Sequence, residues 1–209
     1  IEMHDLSNKS FHGVVIDLCE VEGTQKLIDI LREENLYPDC LVNNARSLKY
    51  LEVCKSGVTS RENFLNEYLL DVIVPYELSM KLLGYSKNLK TILNIGSQYG
   101  VVAANPALYD DPERDSPIHY GVAKAALCHL TKELAIRFSG YGVQVNCIAY
   151  GGVEGRVATA FKERYSKMVP IGRMLLESEI TWPLDALLSD KSAAMSGQTL
   201  NFDGGWTIW

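Results

Sequence analysis

The segment TILNIG, residues 91–96, decides the fold. Ile92 and Leu93 stand side by side, so a strand built from this run is apolar on both faces and needs cover on both. Similar runs lie on either side: DCLVN at 39–43 before it, VQVNCIA at 143–149 and QTLNF at 198–202 after it. HGVVID at 12–17 reads as a further strand. Between these runs the apolar residues fall at helical spacing. One such segment covers 22–35, with Leu27, Ile30 and Leu31 on one side. Others run from about 60 to 83 and from about 119 to 139, with shorter helices near 156–168 and 177–189. Strands separated by helices imply parallel crossovers, hence an α/β fold with a doubly wound parallel sheet and helices on both faces. No linker, low-complexity tract or repeat divides the chain, so residues 1–209 are expected to form a single domain.

Composition removes several classes of function. The 209 residues are 47% hydrophobic and 22% charged, and the net charge is −6, which is the wrong sign for a nucleic-acid surface or a polybasic membrane anchor. No apolar run reaches membrane-spanning length, and IEMHDLSNKS lacks the apolar core of a signal peptide. Cys19, Cys40, Cys54, Cys128 and Cys147 are scattered, without a CxxC. They read as free thiols of a reduced, cytoplasmic protein. The four histidines show no metal-ligand spacing, and no metal site is expected.

In an open parallel sheet, ligands bind beyond the carboxyl ends of the strands. The chemically distinctive residues fall there: Asn43-Asn44-Ala45 after one strand, Ser97 after the next, Gly151-Gly152 after the third. HYGVAKAAL, at 119–127, adds Tyr120 and Lys124, four apart and therefore on one helix face. A cation beside a phenol favours the phenolate and suits the phenol to exchanging a proton.

Together NNA, Ser97, Tyr120 with Lys124, VNCIAYGG and the closing SGQTLNFDGG resemble the short-chain dehydrogenase/reductase family, in that family's order and from about residue 12 to 205. The resemblance implies a Rossmann-type sheet binding NAD or NADP. It gives Tyr120 the acid/base role. Lys124 becomes the group that holds the nicotinamide ribose and assists the tyrosine, and Ser97 the group that orients the substrate carbonyl or hydroxyl. Asp17 and Leu18 match the segment at the adenine, Asn43 and Ala45 the lining of the adenine ribose, and Gly151 and Val153 the loop that holds the carboxamide. Hydride transfer to a carbonyl leaves alkoxide charge that needs a positioned donor, which fits these residue types.

Four departures stand out. The family's glycine-rich phosphate turn does not occur in the sequence, and the N-terminal βαβ portion is expected to be missing from the chain as given. Asp71 occupies the position of the family's fourth catalytic residue, an asparagine, and adds a negative charge near the phenol. Arg46 follows NNA where the family has glycine; it reads as a solvated loop arginine. Tyr150 replaces a proline before the glycines and is expected to loosen that loop.

The loop between Ser97 and Tyr120 is long and acidic, with Asp110, Asp111, Glu113 and Asp115. VEGRVATAFKERYSKM matches the family's substrate lid and carries Arg156, Lys162, Arg164 and Lys167. The segment from QYG to AAL resembles a bacterial subgroup linked to surface or flagellin glycans. The resemblance therefore implies an oxidoreductase for a secondary alcohol or carbonyl, on a sugar or nucleotide-sugar, working as a homodimer or homotetramer with GGWTIW at an interface. Neither nucleic acid nor membrane is an expected partner. A catalytically impaired relative serving in binding or assembly, and a dehydratase or epimerase, remain as alternatives.

Overall fold

The computed structural model describes residues 12–155 and 157–209. Its order is α1 (Gly23–Glu33), β1 (Cys40–Asn43), α2 (Arg61–Tyr68), a π turn (Leu69–Ile73), α3 (Val74–Tyr85), β2 (Thr91–Ser97), the short α4 (Pro112–Asp115), α5 (Ile118–Phe138), β3 (Gln144–Tyr150), α6 (Thr159–Met168), α7 (Thr181–Leu188) and β4 (Thr199–Phe202). Among the described residues the sheet is β1-β2-β3-β4, parallel throughout. This is the Rossmann-type arrangement, with chain order equal to spatial order.

The pleat explains the layers. Ile92 on β2 and Val145 on β3 are register partners and face one side, where they pack with Ile28 of α1, Leu82 of α3 and Leu134 and Phe138 of α5. Leu93 and Ile148 face the other side and meet Leu187 of α7. Ile92, Leu93, Val145 and Ile148 have no solvent exposure, as runs apolar on both faces require.

A chain of buried polar groups pins α5 to the sheet. The Asn43 amide donates to Asn94 Oδ1 (2.8 Å), the Asn94 amide donates to Thr131 Oγ1 (2.9 Å), and Thr131 donates to Leu127 O (2.9 Å). Asn43 and Asn94 are register partners on adjacent strands. Each amide is paired because an unpaired buried polar group is costly.

One expectation is corrected, and a second, the long helix at 60–83, is present at 61–85 with an irregular turn inside it. HGVVID does not form a strand: no ladder partner lies beside it among the described residues, Val15 is fully exposed, and the Asp17 carboxylate accepts from Cys19 N (2.9 Å). Side-chain propensity cannot hold a strand whose backbone groups are unpaired. The long helix at 60–83 is interrupted by the π turn at Leu69–Ile73, just before Pro75. Proline lacks the N–H that would continue the ladder to residue 71, and the wider turn accommodates its ring. Ser60 starts the helix by accepting from Asn63 N (3.0 Å).

Thr131→Val would leave the buried Asn94 amide without its acceptor. Urea denaturation should show a loss of about 1–3 kcal/mol; an unchanged midpoint would mean that the chain of amides does not anchor α5.

Candidate active site

A cleft of about 580 Å³ opens beyond the carboxyl ends of β1, β2 and β3. Ala45, Ser97, Tyr120, Lys124, Gly151 and Val153 all line it. Asn43 and Leu18 instead line a smaller neighbouring cavity of about 180 Å³, together with Asp71 and Lys124. Asp17 is exposed and lines neither cavity.

The position of Lys124 is set from below. Its ammonium donates to Asp71 Oδ1 (3.0 Å) and to Ile95 O (3.1 Å), and both charged residues are buried. Its Nζ lies 5.8 Å from the centre of the Tyr120 ring without a hydrogen bond between them. An ammonium has three donors, and two are engaged among the described residues. Burial raises the Asp71 carboxyl above its ordinary range, and Lys124 opposes that rise without cancelling it.

Arg46 corrects the reading of a merely solvated loop residue. It is exposed, yet it lines the cleft with its guanidinium 5.6 Å from the centre of the Tyr120 ring. Tyr120 thus has two cations within about 6 Å of its ring centre. Three other phenols of the cleft are bound as neutral hydroxyls. Tyr99 and Tyr109 share a hydrogen bond (2.7 Å) and burial raises both; burial also pushes Tyr165 up to about 12. The hydroxyl of Ser97, on the last residue of β2, accepts from Tyr99 N (3.2 Å), which fixes it in the cleft wall.

Tyr150 is corrected as well. Rather than loosening its loop, it ties the loop down: its hydroxyl donates to Ile180 O (2.6 Å) and its ring meets Phe202 edge-on. The glycines beyond it are needed for close approach. A Cβ on Gly151 would lie 2.7 Å from Asp203 Cα, and one on Gly152 would lie 2.8 Å from the Tyr165 ring. Val153 is held by a bridge to Leu175.

Helix α6 packs over this turn through Tyr165, which sequence reading did not single out. Its hydroxyl accepts from Gly152 N (2.7 Å) and donates to Gln98 Oε1 (2.8 Å), and its ring stacks on Trp206 at 4.4 Å. Arg164 reaches across to Leu108 O (2.7 Å) and Asp110 (2.9 Å), so lid and acidic loop are joined by charge. Lys162 pairs with Glu154, and Lys167 is exposed; Arg156 lies outside the described residues.

Glu67 was also missed. It lies one helical turn before Asp71 and is 1% exposed, and neither carboxylate oxygen has a hydrogen-bond partner among the described residues. The spacing i, i+4 from Asp71 was the available signal.

Residues 2–207 match the family model described as Enoyl-(Acyl carrier protein) reductase. The chain belongs to the short-chain dehydrogenase/reductase family. A post-translational flagellin modification protein A from Campylobacter coli is 32% identical over 99% of this chain and 82% of its own length. A short-chain dehydrogenase from Leptospira borgpetersenii, solved with bound NAD+, superposes with a TM-score of 0.86 at 29% identity, covering 98% of this chain and 79% of that one. A 4-hydroxyisoleucine dehydrogenase complexed with NADH gives 0.80 at 28% identity, covering 94% and 79%. Within this family fold, the described residues fit the nicotinamide-ribose half of such a cofactor: an ammonium with a donor to spare, a phenol beside it, and a closely packed glycine turn. No helix among the described residues is long and apolar enough to cross a membrane, and no cluster of His, Cys, Asp or Glu there is placed to hold a metal.

Burial and the neighbouring Asp71 charge raise the Glu67 carboxyl from an ordinary 4.5 to about 7. The folded chain then holds a proton that the unfolded chain releases. The stabilisation is complete below about pH 4.5 and is lost as pH rises to about 7. Relative to Glu67→Gln, the wild-type protein should lose about 3 kcal/mol over that window, since each pH unit is worth about 1.4 kcal/mol. Parallel stability curves for the two proteins, from denaturation at several pH values, would contradict the assignment.

Proposed function

We propose that the chain is an NAD- or NADP-dependent oxidoreductase acting on a secondary alcohol or carbonyl, with Tyr120 as the acid/base. The observation that carries this reading is the placement of Ser97, Tyr120 and Lys124 around one cleft, with Lys124 secured by Asp71. Bound there, a nicotinamide cofactor supplies or accepts the hydride. The chain's own groups do the rest. Ser97 orients the substrate oxygen. Tyr120 gives that oxygen a proton in reduction and takes one in oxidation. Lys124 holds the ribose hydroxyls and, with Arg46, favours negative charge on the phenol oxygen. Gly151 and Val153 supply backbone at the carboxamide, and Ala45, with Asn43 and Leu18 from the neighbouring cavity, the adenosine side; Asp17, which lines neither cavity, is left without a contact there.

Lys124 donates to both Asp71 and Ile95 O, so the aspartate holds the lysine in the cleft, which supports a working site over an impaired one. The likeness to a flagellin modification protein supports a sugar-bearing substrate of the surface-glycan class. The roomy aromatic cleft, with Tyr99, Tyr109 and Phe161, suits a ring with hydroxyls to stack and bond. Exposed apolar side chains on α2, α3 and α5, among them Leu65, Met80, Ile118 and Ile136, and Trp182 and Trp209 elsewhere, support a homo-oligomer.

The full-length protein should reduce NAD+ or NADP+ with one or more members of a panel of polyols and sugars, followed by absorbance of the reduced cofactor. Tyr120→Phe should lower kcat by at least about a hundredfold while the fold persists. Retained turnover in that variant would sink the mechanism. Failure of the wild-type protein to bind NADH or NADPH in a fluorescence titration would favour the binding or assembly role.

A further inference from the structure

Beneath the cleft, two buried carboxyls face one buried ammonium. Glu67 lies in the last turn of α2, Asp71 in the π turn, and Lys124 comes from α5. The three are 1%, 3% and 6% exposed. Asp71 Oδ1 accepts from Lys124 at 3.0 Å, whereas Asp71 Oδ2 and both oxygens of Glu67 have no hydrogen-bond partner among the described residues. Were both acids ionised, one buried negative charge would have no buried counter-ion, at a cost of several kcal/mol. A proton removes the difficulty twice over. It neutralises the surplus charge and turns an acceptor into a donor, one helical turn from an Asp71 oxygen that lacks one.

We propose that Glu67 is a positioning residue that keeps one proton, donates it in a hydrogen bond to Asp71, and so holds Asp71 as a monoanion directed at Lys124. The groups that face it agree. Asp71 and burial push the Glu67 carboxyl upward, to about 7, while Lys124 from α5 and Arg46 from the loop after β1 oppose them. From the turn before α1, Cys19 also senses Glu67, and burial holds that thiol up, so it stays neutral. Through this chain Glu67 acts on Tyr120 without touching substrate. Loss of its proton places a second negative charge under Lys124, draws the ammonium inward and opposes negative charge on the phenol.

The kinetic consequence rests on the proposed role of Tyr120; the proton itself does not. The first measurement is therefore spectroscopic. Infrared difference spectra of the full-length protein, with isotopically labelled glutamate, should show the C=O stretch of a protonated carboxyl that vanishes with a midpoint near 7 and is absent in Glu67→Gln. The second is the pH profile of kcat/KM for alcohol oxidation. The ratio of Glu67→Gln to wild type should rise roughly three- to tenfold as pH passes from 6 to 9, the size expected for one added charge at this range in a partly polar interior. Glu67→Asp, still an acid, should restore the dependence on pH. No glutamate band titrating in the neutral range, or a ratio that stays flat from pH 6 to 9, would overturn the proposal. A titrating band in a protein with no turnover would uphold the proton on Glu67 and remove the reading of Tyr120 as its beneficiary.

Discussion

The buried contact between Lys124 and Asp71 is the constraint around which the site is arranged. Neither charge is tolerable alone in that interior, because an ion left unpaired there costs several kcal/mol. Paired at 3.0 Å, with Ile95 O as the second acceptor, the ammonium is fixed at the floor of the cleft. Its partner lies in a π turn, and its own helix is bound to the sheet through Thr131 and Asn94. Three elements therefore meet at one nitrogen. A shift in any of them would move the cation relative to Tyr120.

Above this floor the structure is held by aromatic groups with polar ends. Tyr165 buries its ring on Trp206 while its hydroxyl joins Gly152 to Gln98. Tyr150 does the same between Phe202 and Ile180. These contacts make the glycine turn a defined wall of the cleft, and they couple it to the lid helix. Apolar packing supplies the stability, and the single hydroxyl on each ring supplies the register.

Much of this was legible from residues alone. Runs such as TILNIG and VQVNCIA are apolar on both parities, so their burial in a two-sided sheet follows directly, and the helical spacing of α5 put Tyr120 and Lys124 on one face. HGVVID carried the same local signal and failed, because a strand also needs a neighbour, which no local pattern encodes. Asp71 was visible as a departure from the family pattern. The meaning of Glu67 was not, since a glutamate in RENFLNEY looks like ordinary solvated helix charge until the fold buries it. Arg46 and Tyr150 were misread for a related reason: whether a side chain in a loop meets solvent or a neighbour is decided by elements distant in sequence.

The account stands or falls on whether the cleft over Lys124 receives a nicotinamide cofactor. The most direct measurement is a calorimetric titration of the full-length protein with NADH and NADPH, beside the charge-balanced double variant Lys124→Met/Asp71→Asn, which removes the cation without stranding its partner. Saturable binding of one cofactor per chain is expected, weakened roughly ten- to a hundredfold in the double variant by loss of a charged hydrogen bond. Equal affinity in the two proteins would contradict the role given to Lys124, and absence of binding in the wild-type protein would contradict the account as a whole.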